Sequence, residues 1–491
     1  MKKVRLLIII VLAVFIVTLA GCEFNFNLNG GESQSGSSGS GSGSGNSGSG
    51  TDSAHPHQTV NIFTMNDIHG HLITDSDGGV SAGLDKVSTL LRSLEANDEY
   101  IKISNGDMFQ GTLFSNTLYG LPGIEWMNYE NFDCFVIGNH EFDWGIDKIA
   151  AYKDGNLENG ELNEDCEILG CNIYLKSTNA MPDWLQAYSI EECNGYKVGV
   201  IGCIGEGLTS SIAASMVADY KFVDPVPLVK EYAKKLRTED KCDVVIVSIH
   251  EYDQNTNSRL ASLSGDSRID AIVCGHSHTE NSEYMTRSDG YNVPIIQCRG
   301  YNSNVGSINI QMKDGKPVSK GTIKHYTSSG YASNKEAYDL LYKYYEEIQR
   351  AGERVIGYSN NNLSREDLGM MGCAAIQEYT NADFGICNTG GIRSAIYAGT
   401  ITYSDVFNVI PFDNTVFVIK IKGSDLNRAI NSSLYVNIDE IDTSRIYTVA
   451  IISYVYENYN GFRSNAIEEA DTSVLFRDIV ADYISEKYPT R

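Results

Sequence analysis

Five short apolar runs in this chain each stop at residues able to bind a cation. Residues 60–65 break at Asn66-Asp67-Ile68-His69, and residues 100–104 at Asn105-Gly106-Asp107. Residues 135–137 break at Gly138-Asn139-His140, residues 243–249 at His250, and residues 271–274 at Gly275-His276-Ser277-His278. Runs of this kind suit buried strands, and glycine lets the backbone turn where a strand ends. Helical periodicity separates some of them: Leu84, Val87, Leu90, Leu91 and Leu94 form one apolar stripe. Strands alternating with helices predict an α/β sandwich whose functional side chains gather at strand ends.

The donors at these ends are carboxylate, amide and imidazole. Asp67, His69, Asp107, Asn139, His250, His276 and His278 therefore suit zinc, manganese or iron(II), whereas calcium would take oxygen alone. A carboxylate two residues before an imidazole can put both on one ion, and Asp107 can bridge two. Two such ions about 3.5–4 Å apart can ionise a bridging water and stabilise in-line displacement at phosphorus. His140 is placed to protonate a leaving group or hold developing charge, and Asp143 is near enough to orient its ring. Four of the nine histidines fall in the ligand set and His140 makes a fifth, so chance assembly is a poor explanation.

The first residues are not part of this fold. Lys2, Lys3 and Arg5 precede an apolar run ending Leu19-Ala20-Gly21-Cys22, which reads as a signal peptide over 1–21 with Cys22 as a lipidated first mature residue. The run is short for a permanent span, which needs roughly 20 residues. Residues 22–58 are dominated by Gly and Ser, a flexible tether that would hold a folded body away from a membrane. Without the leader the chain has 35 basic against 63 acidic residues, a formal charge of −28. Such a body is unsuited to nucleic acid, and an anionic substrate must be captured by a local positive feature such as bound metal. The ten cysteines beyond Cys22 form no Cys-x-x-Cys pair and read mostly as buried free thiols.

Residues 334–350 read as one amphipathic helix joining two bodies. The second body carries strands near 415–421 and 446–455 and the run Phe384-Gly385-Ile386-Cys387, which leads into Asn388-Thr389-Gly390-Gly391-Ile392-Arg393.

Asp67-x-His69, Gly106-Asp107, Gly138-Asn139-His140-Glu141, His250 and Gly275-His276-Ser277-His278 resemble the calcineurin-like metallophosphoesterases. Residues 64–71, residues 141–145 and the second body make the chain similar, more narrowly, to the 5′-nucleotidase and UDP-sugar hydrolase family. The resemblance implies a four-layer α/β/β/α sandwich over 59–325, a linker helix over 326–352 and a smaller α/β substrate-binding domain over 353–491. It implies that Asp67, His69, Asp107 and His278 hold one metal, and Asp107, Asn139, His250 and His276 the other. His140, steadied by Asp143, would act on phosphate and leaving group.

In the second domain it implies substrate contacts from Asn388, Gly391 and Arg393, and a base held between Phe412 and Tyr454, each offering a π-face. Three positions depart from the family pattern. Thr389 replaces a glycine, Asn362 stands where an arginine is expected with Arg365 out of register, and Asn460 stands where a carboxylate would hold ribose. The expectation is a monomeric, surface-anchored phosphohydrolase acting on nucleotides. A 2′,3′-cyclic-nucleotide phosphodiesterase/3′-nucleotidase, another sugar-phosphate hydrolase and a non-catalytic ligand-binding lipoprotein are the alternatives. The complete donor set argues against binding alone.

Overall fold

In the described residues of the computed structural model (58–74, 82–153, 161–318 and 321–490), two sheets stack face to face in the N-terminal half. The leader, Cys22 and nearly all of the tether lie outside the described residues. Every described residue belongs to one unit, His55–Arg491. Among the described residues no helix is long and apolar enough to cross a membrane.

In the first sheet Thr59–Met65, Ile101–Ser104, Cys134–Val136 and Glu167–Leu169 run parallel, and Val305–Lys313 pairs antiparallel with the first of them. In the second sheet Tyr196–Ile204, Val244–His250, Ala271–Cys274 and Asn292–Gln297 run parallel. Strand side chains alternate between faces. Ile62, Ile103 and Val136 of one sheet therefore meet Val200, Ile246 and Val273 of the other in a shared core. The opposite faces take helices: Leu84–Leu94 covers Phe63 and Met65, and Pro225–Thr238 covers Ile201 and Val245. The result is the four-layer α/β/β/α order, because each sheet has two apolar faces to bury. All ten cysteines of the described residues are buried free thiols.

The C-terminal α/β domain is built on a five-stranded sheet in the order Leu434–Val436, Phe384–Asn388, Ile446–Ile452, Thr415–Lys422, Glu468–Leu475. The helices Arg365–Thr380 and Phe476–Lys487 pack on it. Arg365–Thr380 begins with a reciprocal box in which Ser364 caps Asp367 N–H and Asp367 accepts from the Ser364 backbone.

Two expectations change. The single helix over 334–350 is two, Lys335–Tyr342 and Tyr345–Gly352, broken at Lys343 and Tyr344. Ala337 and Leu341 are locked into the N-terminal core, while Lys343 and Tyr344 turn to Glu125. The strand over 446–455 stops at Ile452, and Ser453–Asn458 is helical, so Tyr454 sits in a helical first turn.

Ile246 is fully buried between the two sheets. Ile246→Ala should cost about 2–5 kcal/mol of unfolding free energy, as large-to-small changes in closed cores do. Urea denaturation of the full chain measures it, and a loss below about 1 kcal/mol would contradict close packing of the sheets at this layer.

Candidate active site

The two sheets present the carboxyl ends of their parallel strands to one place. Asp67 follows Met65, Asp107 follows Ser104 and Asn139 follows Val136, while His250 ends its strand and His276 follows Cys274. Asp67, His69, Asp107, His276 and His278 all have left-handed backbone, with φ between 52° and 77°. Non-glycine residues hold that conformation only where the surroundings enforce it, at about 1–3 kcal/mol each. Glycine is required between them by close approach: a Cβ on Gly106 would lie 2.6 Å from His250 Nδ1, and one on Gly138 would lie 2.7 Å from Asp107 N.

Backbone carbonyls set the histidine tautomers. His250 Nδ1 donates to Asn105 O at 2.7 Å and His69 Nδ1 to Gln110 O at 3.0 Å, which turns both Nε2 lone pairs inward. His69 Nε2 lies 3.0 Å from His278 Nε2, a repulsive pair of lone pairs unless a proton or cation lies between them. Asp67 Oδ2 accepts His276 N–H and Asp107 Oδ1 accepts His140 N–H, both at 2.8 Å. The other oxygens, Asp67 Oδ1 and Asp107 Oδ2, are buried without a hydrogen-bond partner, and so is His250 Nε2. Buried polar atoms left this way are costly, and here they converge. Donor atoms of Asp67, His69 and His278 lie within 4.8 Å of one another, as do those of Asp107, His250 and His276. His276 Nδ1 is 2.9 Å from Asn139 Oδ1. The seven expected ligands are thus one cluster, and its mixed N/O donors fit divalent zinc, manganese or iron.

The electrostatics show the same demand for positive charge. Burial opposes charge on His250, but Asp107 and then Asp67 carry its pKa up to about 10. Burial pushes Asp107 up, yet His250 and His140 hold it well below the usual carboxylate range. His276 is depressed to about 4 by burial and by His250. Glu141, absent from the expected site, is pushed up to about 7 by burial and by Asp107. It accepts the N–H groups of Asp107, Met108 and Gly138 at 2.8–3.0 Å and so ties two strand-end loops together.

His140 Nδ1 bonds Asp143 Oδ2 at 2.7 Å, which leaves Nε2 available. Burial lowers the His140 pKa, but Asp143 and Asp107 outweigh it and the net shift is upward. His140 and Asp143 line a cavity of about 340 Å³ that the C-terminal domain closes. Asn388, Gly391, Arg393, Phe412 and Tyr454 line it too, and Arg393 reaches to 3.5 Å from His69 Nε2. Phe412 stacks on the His140 ring, with centroids 5.5 Å apart and planes at 26°. Across the seam Gln110 and Asn116 donate to Pro411 O, and Tyr454 Oη donates to Ser210 O.

Asn460 is exposed and is not among the residues that line the cavity: the helix ends at Asn458 and residue 460 lies beyond it. Glu457 is in the lining instead, three residues after Tyr454 on the same helix face. Asn362 accepts Ala398 N–H, and Arg365 braces the loop after Asn388 by donating to Ile392 O and Thr389 O. The spacing Tyr454-x-x-Glu457 could have revealed Glu457 had the segment been read as helix. Glu141 stands within the Gly138-Asn139-His140-Glu141 motif, but the motif does not give its role, since its partners are backbone amides.

Comparison with known proteins agrees with this geometry. Residues 60–280 match the calcineurin-like phosphoesterase family, and residues 347–437 match the 5′-nucleotidase C-terminal domain. The chain is 27% identical over 411 residues to endonuclease YhcR of Bacillus subtilis (strain 168), which covers 77% of this chain but 33% of that protein. It is 26% identical over 428 residues to the apyrase of Tabanus yao, covering 77% of this chain and 74% of that one. It therefore spans a third of the length of the first relative and about three quarters of the second. The 5′-nucleotidase precursor from Thermus thermophilus superposes with a TM-score of 0.74 at 21% identity, over 87% of this chain and 96% of that chain, a likeness of fold. With both domains matched in order, the chain belongs to the calcineurin-like phosphoesterases that carry a 5′-nucleotidase C-terminal domain, a family of metal-dependent phosphoester hydrolases.

Proposed function

We propose that this protein releases phosphate from nucleotides at the cluster joining its two sheets, acting outside the cell on a lipid anchor at Cys22. The observation that carries the reading is the convergence of Asp67 Oδ1, Asp107 Oδ2 and His250 Nε2, buried with one another and His278 as ionisable neighbours, beside a cavity that also holds His140 and Arg393. Asp67, His69, Asp107 and His278 would hold one divalent ion. Asp107, Asn139, His250 and His276 would hold a second. Bound there, such ions supply Lewis-acid activation and charge neutralisation at a phosphoryl group.

The protein's own groups do the rest. The Arg393 guanidinium lies beside the cluster and can bind phosphoryl oxygens with its planar fork. Asp143 and Asp107 shift His140 upward against the effect of burial and so favour the charged ring, from which a proton could pass to the departing alkoxide. The hydrogen bond to Asp143 and the face of Phe412 fix its orientation. Tyr454 and Phe412 give the cavity aromatic walls suited to a flat base. Domain closure by Gln110, Asn116 and Tyr454 shields the reacting groups from water. The domain limits (59–325, 326–352 and 353–491) and a monomeric state complete the proposal. The export reading rests on the leader, Cys22 and the tether, and Cys22→Ala in a bacterial host should abolish fatty-acid labelling of the chain.

Asp107→Ala should abolish phosphate release and lower bound metal at both positions while the fold is kept. Elemental analysis beside a nucleotide panel checks it, and two equivalents of metal with full turnover would remove Asp107 from the site. His140→Ala should leave metal content intact and lower kcat for nucleotides by about 10²–10⁴-fold, the usual contribution of a general acid. The loss should shrink for an aryl phosphate with an activated leaving group. An equal loss on both esters would assign His140 to charge stabilisation instead of proton donation.

A further inference from the structure

The cavity combines two chemistries. His140, Arg393 and Gln110 bring donors beside the ligand cluster, whereas the Ser453–Asn458 helix brings the Glu457 carboxylate. A carboxylate offers about four lone-pair sites. Ser215 Oγ takes one of those on Glu457, at 3.1 Å from Oε2, and no described cation pairs with it. Asp413, also in the lining, is by contrast matched by Arg477 at 2.8 Å. A second acceptor points the same way. Asn388 is 8% exposed, lines the same cavity, and its Oδ1 has no hydrogen-bond partner. A buried acceptor left open in a cavity, as at Asn388, marks the place of a donor-bearing ligand.

We infer that Glu457 is the specificity-determining carboxylate of this cavity, accepting hydrogen bonds from hydroxyl or amino groups on the alcohol part of the ester and turning away esters with a second anionic group there. The inference rests on the reading that a phosphate ester occupies the cavity. Its chemistry favours a monophosphate whose leaving group is flat on one side, for the Tyr454 ring, and rich in donors on the other. A ribonucleoside with vicinal hydroxyls has that character, and so does an amino sugar. A leaving group with its own phosphate or carboxylate near Glu457 meets like charge in a half-buried setting, where repulsion is weakly screened. The sequence hides this role because Asn460, at the position expected to carry the carboxylate, lies outside the cavity.

The test uses the metal-loaded full chain and the isosteric variant Glu457→Gln, with kcat and KM measured on three pairs of esters. The pairs are a ribonucleoside monophosphate and its 2′,3′-dideoxy form, a polyhydroxylated alkyl phosphate and its deoxygenated form, and a small aryl phosphate with and without a carboxylate. In Glu457→Gln, KM for the hydroxylated member should rise about tenfold or more, the loss expected when a charge-assisted bond becomes a neutral one. KM for the deoxygenated member should hold within about twofold, and the carboxylated aryl ester should improve. Unchanged discrimination in every pair overturns the inference. So does loss of the same discrimination in Asn460→Ala with Glu457 intact, since that would place the hydroxyl-binding group at 460. If the wild-type protein hydrolyses alkyl and aryl phosphates but no nucleotide, the nucleotide reading fails and the alkyl pair alone decides Glu457. A fold check by circular dichroism accompanies each variant, and Glu457→Asp, which keeps the charge on a shorter arm, should retain the rejection of the carboxylated ester even where hydroxyl binding is weakened.

Discussion

The burial of Asp107 is the constraint on which the rest of this structure depends. The residue is fully buried, left-handed, and pressed between Gly106 and Gly138, neither of which tolerates a Cβ. One carboxylate oxygen takes the His140 amide and the other faces His250 Nε2 at 3.1 Å without a hydrogen bond. Its own amide is held by Glu141, which also holds Gly138. One charge therefore fixes the ends of two neighbouring strands, the entry to His140 and the approach of the second sheet. A buried carboxylate of this kind is tolerable only if positive charge comes to it, so the surrounding imidazoles are part of the same balance. Left-handed backbone at five cluster residues is the conformational cost of bringing those groups into one place.

Much of this was legible because strand ends and ligands coincide in the sequence. The Leu84–Leu94 helix and the strands before Asp67, Asp107 and His276 follow from periodicity and from glycine at the breaks. What escaped has physical reasons. Residues 446–455 look like one strand because apolar side chains continue past Ile452 into Val455 and Tyr456, both buried, and burial does not distinguish a strand from the helix that follows it. Residues 334–350 keep one stripe through a break made by contacts with Glu125, more than two hundred residues earlier in the chain. Glu141 escaped for a different reason. It acts on backbone amides, which every residue has, so no partner pattern announces it.

The two α/β domains meet through few but directed bonds. Pro411 O receives Gln110 and Asn116, and Asn458 receives Ala214 N–H and donates to Ile212 O. Of the N-terminal partners, Gln110, Ile212 and Ala214 lie outside regular helices and strands and Asn116 lies in the short helix Leu113–Thr117, and Gln110 O also orients His69. The same residue thus shapes a proposed metal ligand and touches the C-terminal domain. Phe412 makes the second such link, because the aromatic ring expected to hold a base also covers His140. In the proposed mechanism that ring would couple closure to proton donation, since withdrawing the C-terminal domain would remove one face of the His140 environment.

This arrangement also reconciles an acidic protein with an anionic substrate. At a formal −25 the chain repels phosphate esters at long range, and near physiological salt that repulsion fades over about 8 Å. Attraction must then be short-ranged, at a place where positive charge is concentrated and partly desolvated. With its proposed ions in place the cluster beside Arg393 would meet that requirement, and Glu457, lining the same cavity, would limit which esters benefit. A uniformly basic cleft would draw every polyphosphate equally. A cationic cluster lined by an acidic wall instead confines attraction to the phosphoryl group being cleaved and leaves the choice of alcohol to hydrogen bonding and ring contact.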